Sequence, residues 1–303
     1  MKQYRLSDTQ KIELVKKFET GTYTFMDLSK EFNISLPAIK GLLNRRGYKA
    51  KSQSELQRKY PIDETFFDKI DTQEKAYFLG ILYADGVNSP ERNSVAITLQ
   101  EKDKAILEKL NNLLQPTKPL QYVKLKKGNN QYRITMVSKH ISQKLSDLGC
   151  TRVKSFTLTF PEWMPKDLIP HFVRGYWDGD GWIGKRAMTI VSTEMFCNSL
   201  SDILNADLDI NTYIRARHPE RKTTTRMMEV SGRNKCIKLI DWMYSNSTIH
   251  LERKFNAAIN IKSFALKNIL SGEHRLKNQD ELPTSLVGVM TLEAQPIAFG
   301  VGG

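Results

Sequence analysis

Apolar residues fall into helical spacing in three short runs before residue 50. Ser7 is placed to cap a first helix, DTQKIELVKKFE, in which Ile12, Leu14, Val15 and Phe18 share a face and after which Gly21 breaks the pattern. A second run, TFMDLSKEF, ends at a tight turn predicted at Asn33 and Ile34. Ser35 then caps a third, LPAIKGLLNRRG, with Pro37 tolerated in its first turn. Helix, short turn and a final polar, basic helix match the helix-turn-helix plan, and equally a plain three-helix bundle with a solvated face.

Residues 49–72 have weak periodicity and read as a linker that begins to pack near Phe66, Phe67 and Ile70. From 73 to about 150 the pattern runs helix, two strands, helix, two strands, helix. VAITL alternates as a strand and KDKAILEKLNNLL is an amphipathic helix. LQYVKLK and QYRITMV pair across a turn at Lys127, Gly128 and Asn129, and HISQKLSDLG closes the set. The same order returns over 166–244: a helix PKDLIPHFVRGYW, a strand AMTIVS, a helix EMFCNSLSDILNADL, strands INTYIRARHP and TTTRMMEVSG, and a helix NKCIKLIDWMY. KLSDLG at 144–149 even matches KLIDWM at 238–243, so two similar subdomains related by a pseudo-twofold are expected. A helix over 251–270 follows, and 271–303 has no clear period. The expected domains are 1–50, a linker 51–72, subdomains 73–160 and 161–270, and a tail 271–303.

Two stretches hold equivalent places in the repeat, AYFLGILYADG (76–86) and HFVRGYWDGDG (171–181). Ala76, Gly80 and Ala84 lie four apart, as do Gly175 and Gly179, a spacing that lets two helix backbones approach closely. Each helix ends in Asp-Gly, at Asp85 and Asp180, 95 residues apart. The glycines are expected in the left-handed conformation that stops a helix. The acids need another reason, because a carboxylate at a helix C-terminus faces the negative end of the dipole. Two of them brought together also repel, which a divalent cation with hard oxygen ligands relieves. Asp85 and Asp180 are therefore the expected metal ligands, with the Ala84 and Gly179 carbonyls as further donors. Asp178 is a weaker candidate, since Tyr83 stands in its place in the first stretch.

Composition supplies a partner. The chain of 303 residues carries a formal charge of +13, which calls for a polyanion, nucleic acid before an anionic membrane. The excess is placed: residues 118–159 hold 9 Lys and Arg against one acid, residues 211–238 hold 8 against 2, and residues 1–70 hold 14 against 9. No apolar run reaches membrane-spanning length and the N-terminus has no signal-peptide core. Cys150, Cys197 and Cys236 are sparse and far apart, which argues against a disulfide framework, and the five histidines show no metal-binding spacing.

With FLGILYADG and VRGYWDGDG at matching places, the chain over about 60–270 resembles the LAGLIDADG homing endonucleases. The resemblance implies an α+β fold in which two αββαββα halves form a saddle on double-stranded DNA, here behind an added helix-turn-helix domain. It implies a monomer that makes a double-strand break with short 3′ overhangs at a long site, using Mg²⁺, two or three ions shared by the two acids. Lys154 and Lys254 fall at similar distances after the acids and match the basic residue that the family keeps near each scissile phosphate. Gln100 resembles a residue that orients water, with Ser192 or Thr193 as its partner. Expected DNA contacts are Lys124, Lys126, Arg133, Arg215, Arg217 and Arg226 on the strands, and Ser35, Lys40, Asn44, Arg45 and Arg46 on the third helix. A cytoplasmic setting in a bacterial or phage-infected cell, and a free-standing rather than intein-borne protein, are further expectations. A DNA-binding regulator or an RNA maturase on the same fold are the alternatives.

Overall fold

A computed structural model of the chain describes residues 6–20, 23–48, 59–217 and 225–270. The expected elements at 49–58 and 271–303 lie outside the described residues, as does the segment 218–224. The chain divides into two compact units, Met1–Pro61 and Ile62–Gly303.

The first unit holds α1 (Asp8–Glu19), α2 (Phe25–Glu31) and α3 (Leu36–Arg45). Ser7 with Gln10 and Thr24 with Asp27 form reciprocal capping boxes, which satisfy the first free N–H groups of α1 and α2. Ser35 precedes α3 without a side-chain cap, and Pro37 sits in its first turn. Asn33 takes φ 48° in the turn between α2 and α3, a conformation asparagine tolerates better than most residues. Leu14, Val15, Leu28, Ile39, Leu42 and Leu43 bury together and fix the three helices on one another.

The second unit runs its plan twice. The first pass is α4 (Gln73–Asp85), β1 (Gly86–Ser89), β2 (Ser94–Gln100), α5 (Lys104–Leu114), β3 (Gln121–Val123), β4 (Gln131–Val137) and α6 (Lys139–Asp147). A short helix α7 (Lys154–Thr157) lies in the connection. The second pass is α8 (Ile169–Asp180), β5 (Trp182–Ile183), β6 (Ala187–Thr193), α9 (Glu194–Leu208), β7 (Tyr213–Ala216), β8 (Thr225–Ser231) and α10 (Arg233–Tyr244), followed by α11 (Glu252–Leu270). Each pass makes a four-stranded antiparallel sheet, ordered β1-β2-β4-β3 and β5-β6-β8-β7. The fold is α+β, with the repeated helix–two strands–helix–two strands–helix order that the sequence predicts.

Alternation along the strands decides which face meets the helices. Val95, Ile97 and Leu99 on β2, with Ile134 and Met136 on β4, are buried; Met188, Ile190, Met228 and Val230 do the same in the second sheet. All join one core that also takes in α4, α8 and Phe66, Phe67 and Ile70. The leading strand of each sheet, β1 or the two-residue β5, carries no alternation of apolar residues and escapes a periodicity search. In β1 the buried positions are Gly86 and Asn88. The Asn88 amide is accommodated by donating to the Ser142 and Cys150 carbonyls, both at 2.9 Å. β3 is shorter than LQYVKLK suggests, so Lys124 and Lys126 lie beyond the strand, exposed in the loop that leads to β4.

Candidate active site

Helices α4 and α8 cross at their glycines. A Cβ on Gly175 would stand 2.0 Å from the Tyr77 carbonyl oxygen, and one on Gly80 would stand 2.2 Å from that of Phe172. Only hydrogen fits at either position, so backbone meets backbone. Farther along, a Cβ on Gly179 would reach 2.4 Å from the Ala84 Cβ and 3.0 Å from Asp85 Oδ2. The close crossing therefore brings the C-terminal ends of both helices, and with them the acids Asp85 and Asp180, to one place.

Gly86 and Gly181 are not left-handed. Their φ, ψ values are −71°, 144° and −86°, 160°, ordinary extended backbone. The helix passes straight into a strand with no stop motif between. Glycine is required by space: a Cβ would stand 2.6 Å from the Leu82 carbonyl at Gly86, and 2.5 Å from the Trp177 carbonyl at Gly181. Each acid is thus fixed at a sharp helix-to-strand turn, on its own helix's last residue.

The electrostatics of the pair follow from burial and proximity. Burial, then repulsion from Asp180, raises the Asp85 carboxyl from 3.8 to about 6, against the pull of Lys154 and Arg253. Asp180 stays exposed at its surface, but the protein packed around it removes enough water to raise its carboxyl too, opposed by Lys154, Arg217 and Lys254. The Lys154 ammonium donates to three carbonyls at the end of α4: Leu82 and Tyr83 at 2.7 Å and Ala84 at 2.6 Å. It satisfies acceptors that a helix end leaves open and places positive charge at the negative end of the dipole. Burial lowers its own pKa. Lys254, buried, donates to the Gly181 carbonyl, and burial with the nearby Arg253 brings it down to about 8. Asp85, Asp180, Lys154 and Lys254, picked from the sequence, form one cluster.

A cleft of about 220 Å³ opens beside it, lined by Lys154, Asp180, Ser192, Thr193, Arg217 and Thr225 among others. Arg217, expected on a strand as a contact to DNA, lies one residue past β7 and stands beside Asp180. Elsewhere around the pair, Arg253 Nε donates to both oxygens of buried Asp103, at 3.1 and 3.0 Å. Neither residue was foreseen. Asp103 looks like an ordinary acid ahead of a helix, and Arg253 like a neighbour of Lys254; only the fold joins them.

Asp178 has a structural role. It is fully buried and accepts from Tyr77 at 2.8 Å, Tyr244 at 2.7 Å and the Leu251 N–H at 2.7 Å. Burial still raises its pKa. Arg174, also fully buried, donates to the Met243 and Ile249 carbonyls at 2.6 and 2.9 Å and lies over the Tyr77 ring.

Of the remaining candidates, Gln100 ends β2, exposed and opposite Gln131. Its register counterpart in the second half is Thr193, not Ser192, because Gly86 pairs with Ile97 and Trp182 with Thr189. Thr193 is buried; its hydroxyl donates to the Leu158 carbonyl and accepts from the Phe196 N–H at the start of α9. Arg133 lies on the exposed face of β4 and donates to Thr98 Oγ1 at 2.8 Å. Arg215 is exposed on β7. Arg226 departs from expectation: it pairs with Ser192, so alternation turns it toward the helical layer, where it donates to Glu194 at 2.8 Å. Lys40, Asn44, Arg45 and Arg46 are exposed along and just after α3.

The donor set suits a hard cation. Asp85 and Asp180 offer carboxylate oxygens, and Gly179 a nearby carbonyl, while the Ala84 carbonyl is engaged by Lys154. Among the described residues no group of three or more His, Cys, Asp or Glu side chains could hold a metal. A two-carboxylate site leaves coordination positions for water and phosphate, as Mg²⁺ prefers.

Residues 167–239 match the family model described as a LAGLIDADG-like domain. No curated protein matches the chain. Among solved structures, full-length DUF199/WhiA from Thermatoga maritima is 14% identical, over 76% of this chain and 70% of that one, with a TM-score of 0.43. I-DmoI in complex with DNA and Ca is 16% identical, over 62% and 97%, at 0.43. I-SmaMI bound to uncleaved DNA in the presence of calcium ions is 13% identical, over 74% and 97%, at 0.45.

Proposed function

We propose that this chain, whose residues 167–239 are a LAGLIDADG-like domain, is a site-specific endonuclease that cuts both strands of DNA with a divalent metal, Mg²⁺ in the cell. The observation that carries the reading is the meeting of Asp85 and Asp180 at the crossing of α4 and α8, with Lys154 and Lys254 held against the same helix ends. A fold without chemistry has no need to bring together two acids whose charged forms are disfavoured, and such perturbed pairs mark functional sites.

DNA is held by the exposed faces of the two sheets, through Arg133 and Arg215, with Lys124 and Lys126 on the adjoining loop. Asp85 and Asp180 hold the metal, and the Gly179 carbonyl adds an oxygen. When bound, a divalent cation supplies Lewis acidity and lowers the pKa of a bound water. Lys154 and Lys254 stabilise negative charge that builds on each phosphate. The helix-to-strand turns at Gly86 and Gly181 keep the acids from drifting, since each is the last residue of a packed helix. The first unit, with Lys40, Asn44, Arg45 and Arg46 exposed, adds a second grip on DNA.

The test joins the DNA that flanks the gene without the gene itself and incubates it with protein and Mg²⁺. A double-strand cut that disappears in both Asp85→Asn and Asp180→Asn supports the reading. Sequence-specific binding with no cut under Mg²⁺ or Mn²⁺ replaces it with a regulator, and stimulated splicing of a cognate RNA replaces it with a maturase.

A further inference from the structure

Superposing the two halves by strand register exposes an inequality around the acids. Gln131 pairs with Gln100 and with Val123; Thr225 pairs with Thr193, and its carbonyl accepts from the Arg217 N–H. Val123 therefore stands where Arg217 stands. The same register sets Asp103 against Phe196, which is fully buried and apolar. Taking Lys154 and Lys254 as equivalents sets Val153, 55% exposed, against Arg253. Three positions around the site thus differ in charge between the halves.

The consequence is a difference in available positive charge. The cleft beside Asp180 gathers Lys154 and Arg217, and Asp180 is the acid among its described lining residues. On the other flank Lys254 stands beside Arg253, but Arg253 spends its Nε on both oxygens of Asp103. Asp103 is 6% exposed and Arg253 39%, so solvent weakens the pair only in part and Arg253 gives up a share of its charge to Asp103. The second flank therefore offers a developing phosphorane less net cation than the first.

We propose that the two DNA strands are cut at different rates. The strand over Lys154 and Arg217 goes first, a nicked duplex accumulates, and Asp103 slows the second cut by holding Arg253. This rests on the endonuclease reading. The covalent step is the same on both strands. A water oxygen bonds to phosphorus as the bond from phosphorus to O3′ breaks; one water proton leaves to solvent and O3′ takes a proton from solvent. Arg217 contacts the phosphate in the first cut, while Asp103 is a positioning residue that acts through Arg253.

The experiment uses the full chain with Mg²⁺ and the joined flanking DNA as a linear duplex, each strand carrying a different end label. Protein is in excess, so single-turnover rates are read for each strand apart from affinity. The wild type is expected to cut one strand about tenfold faster than the other, less than the roughly 100- to 1,000-fold of a donor in a closed site because Arg217 is exposed to water. Arg217→Gln slows that same strand by about tenfold or more and leaves the other within about twofold, and Arg217→Lys restores part of the loss. Asp103→Asn, which keeps shape but removes charge, speeds the slow strand and shortens the life of the nick. Equal strand rates in the wild type, or Arg217→Gln slowing both strands alike, overturn this inference and leave the endonuclease intact. No cut by the wild type on either strand overturns both. Arg217 is exposed, so its variants test the idea even where Asp103→Asn disturbs folding.

Discussion

Tyr83 and Asp178 hold the same position in their two helices and make the same attachment with opposite chemistry. Tyr83 donates its hydroxyl to the Leu148 carbonyl, just past the end of α6. Asp178 accepts from Tyr244, the last residue of α10, and from the Leu251 N–H beyond it. In each half the helix that carries the acid is thereby tied to the close of that half's last helix, and so to the segment that brings in Lys154 or Lys254.

Asp178 should accordingly matter to stability more than to chemistry. Asp178→Leu removes one acceptor and strands two tyrosine hydroxyls and an N–H in the core, at a cost of about 3–5 kcal/mol. Tyr83→Phe loses a single hydrogen bond, at about 1 kcal/mol. Urea unfolding of the two variants checks the order; a mild Asp178→Leu would contradict the buried network.

Glycine substitutions separate the two units. Gly175→Ala pushes a methyl into the Tyr77 carbonyl, so α4 and α8 must part. A loss of about 2–4 kcal/mol, or failure to fold, is expected. Gly41→Ala in α3 meets nothing nearer than an Arg45 guanidinium nitrogen at 3.7 Å. It should gain up to about 1 kcal/mol from helix propensity. Thermal melts of both variants decide the matter.

The acid pair sets a pH dependence with an unusual sign. The folded Asp85 carboxyl titrates at about 6, above its value of 3.8 in the open chain. The folded state therefore holds the proton more tightly. That stabilisation is complete below the open-chain value and is lost as pH rises through about 6. Metal-free protein should thus gain stability from this group on mild acidification. At neutral pH Asp85→Asn should raise stability, on the order of 1–3 kcal/mol, while abolishing cleavage. A lower melting temperature for metal-free Asp85→Asn would count against the electrostatics described.

Lys154 combines structure and charge, and two readouts separate them. Lys154→Met leaves the Leu82, Tyr83 and Ala84 carbonyls without their donor and removes the cation that acts most strongly on both acids. Stability should fall by about 1–3 kcal/mol and cleavage should be lost. Lys154→Arg keeps the charge and should recover more stability than activity. Full cleavage by Lys154→Met would remove it from the site.

DNA affinity should distinguish strand faces. Arg133→Ala removes a cation on an exposed face and should flatten the log–log salt slope by about 0.9. Arg226→Ala should leave that slope unchanged, because Arg226 is committed to Glu194 on the opposite face. Filter binding across a salt series makes the comparison.

Local signals were enough for much of this. Helical spacing and caps mark α1 to α3, and the repeat of periods marks most of the helices and strands in both halves. Asp-Gly at both helix ends singles out Asp85 and Asp180, because a carboxylate there has no local justification. What the chain alone could not decide depends on atoms far apart in sequence. The glycines after the acids are required by the space between a helix's last turn and the strand that leaves it, not by a left-handed turn. Arg226 is assigned to a face by its register with Ser192. Asp178 becomes structural only where Tyr77, Tyr244 and Leu251 converge on it. Arg253 reaches Asp103, and Arg217 reaches Asp180, only after two sheets and two helices have packed, because a charge acts through distance in space and the sequence records distance along the chain.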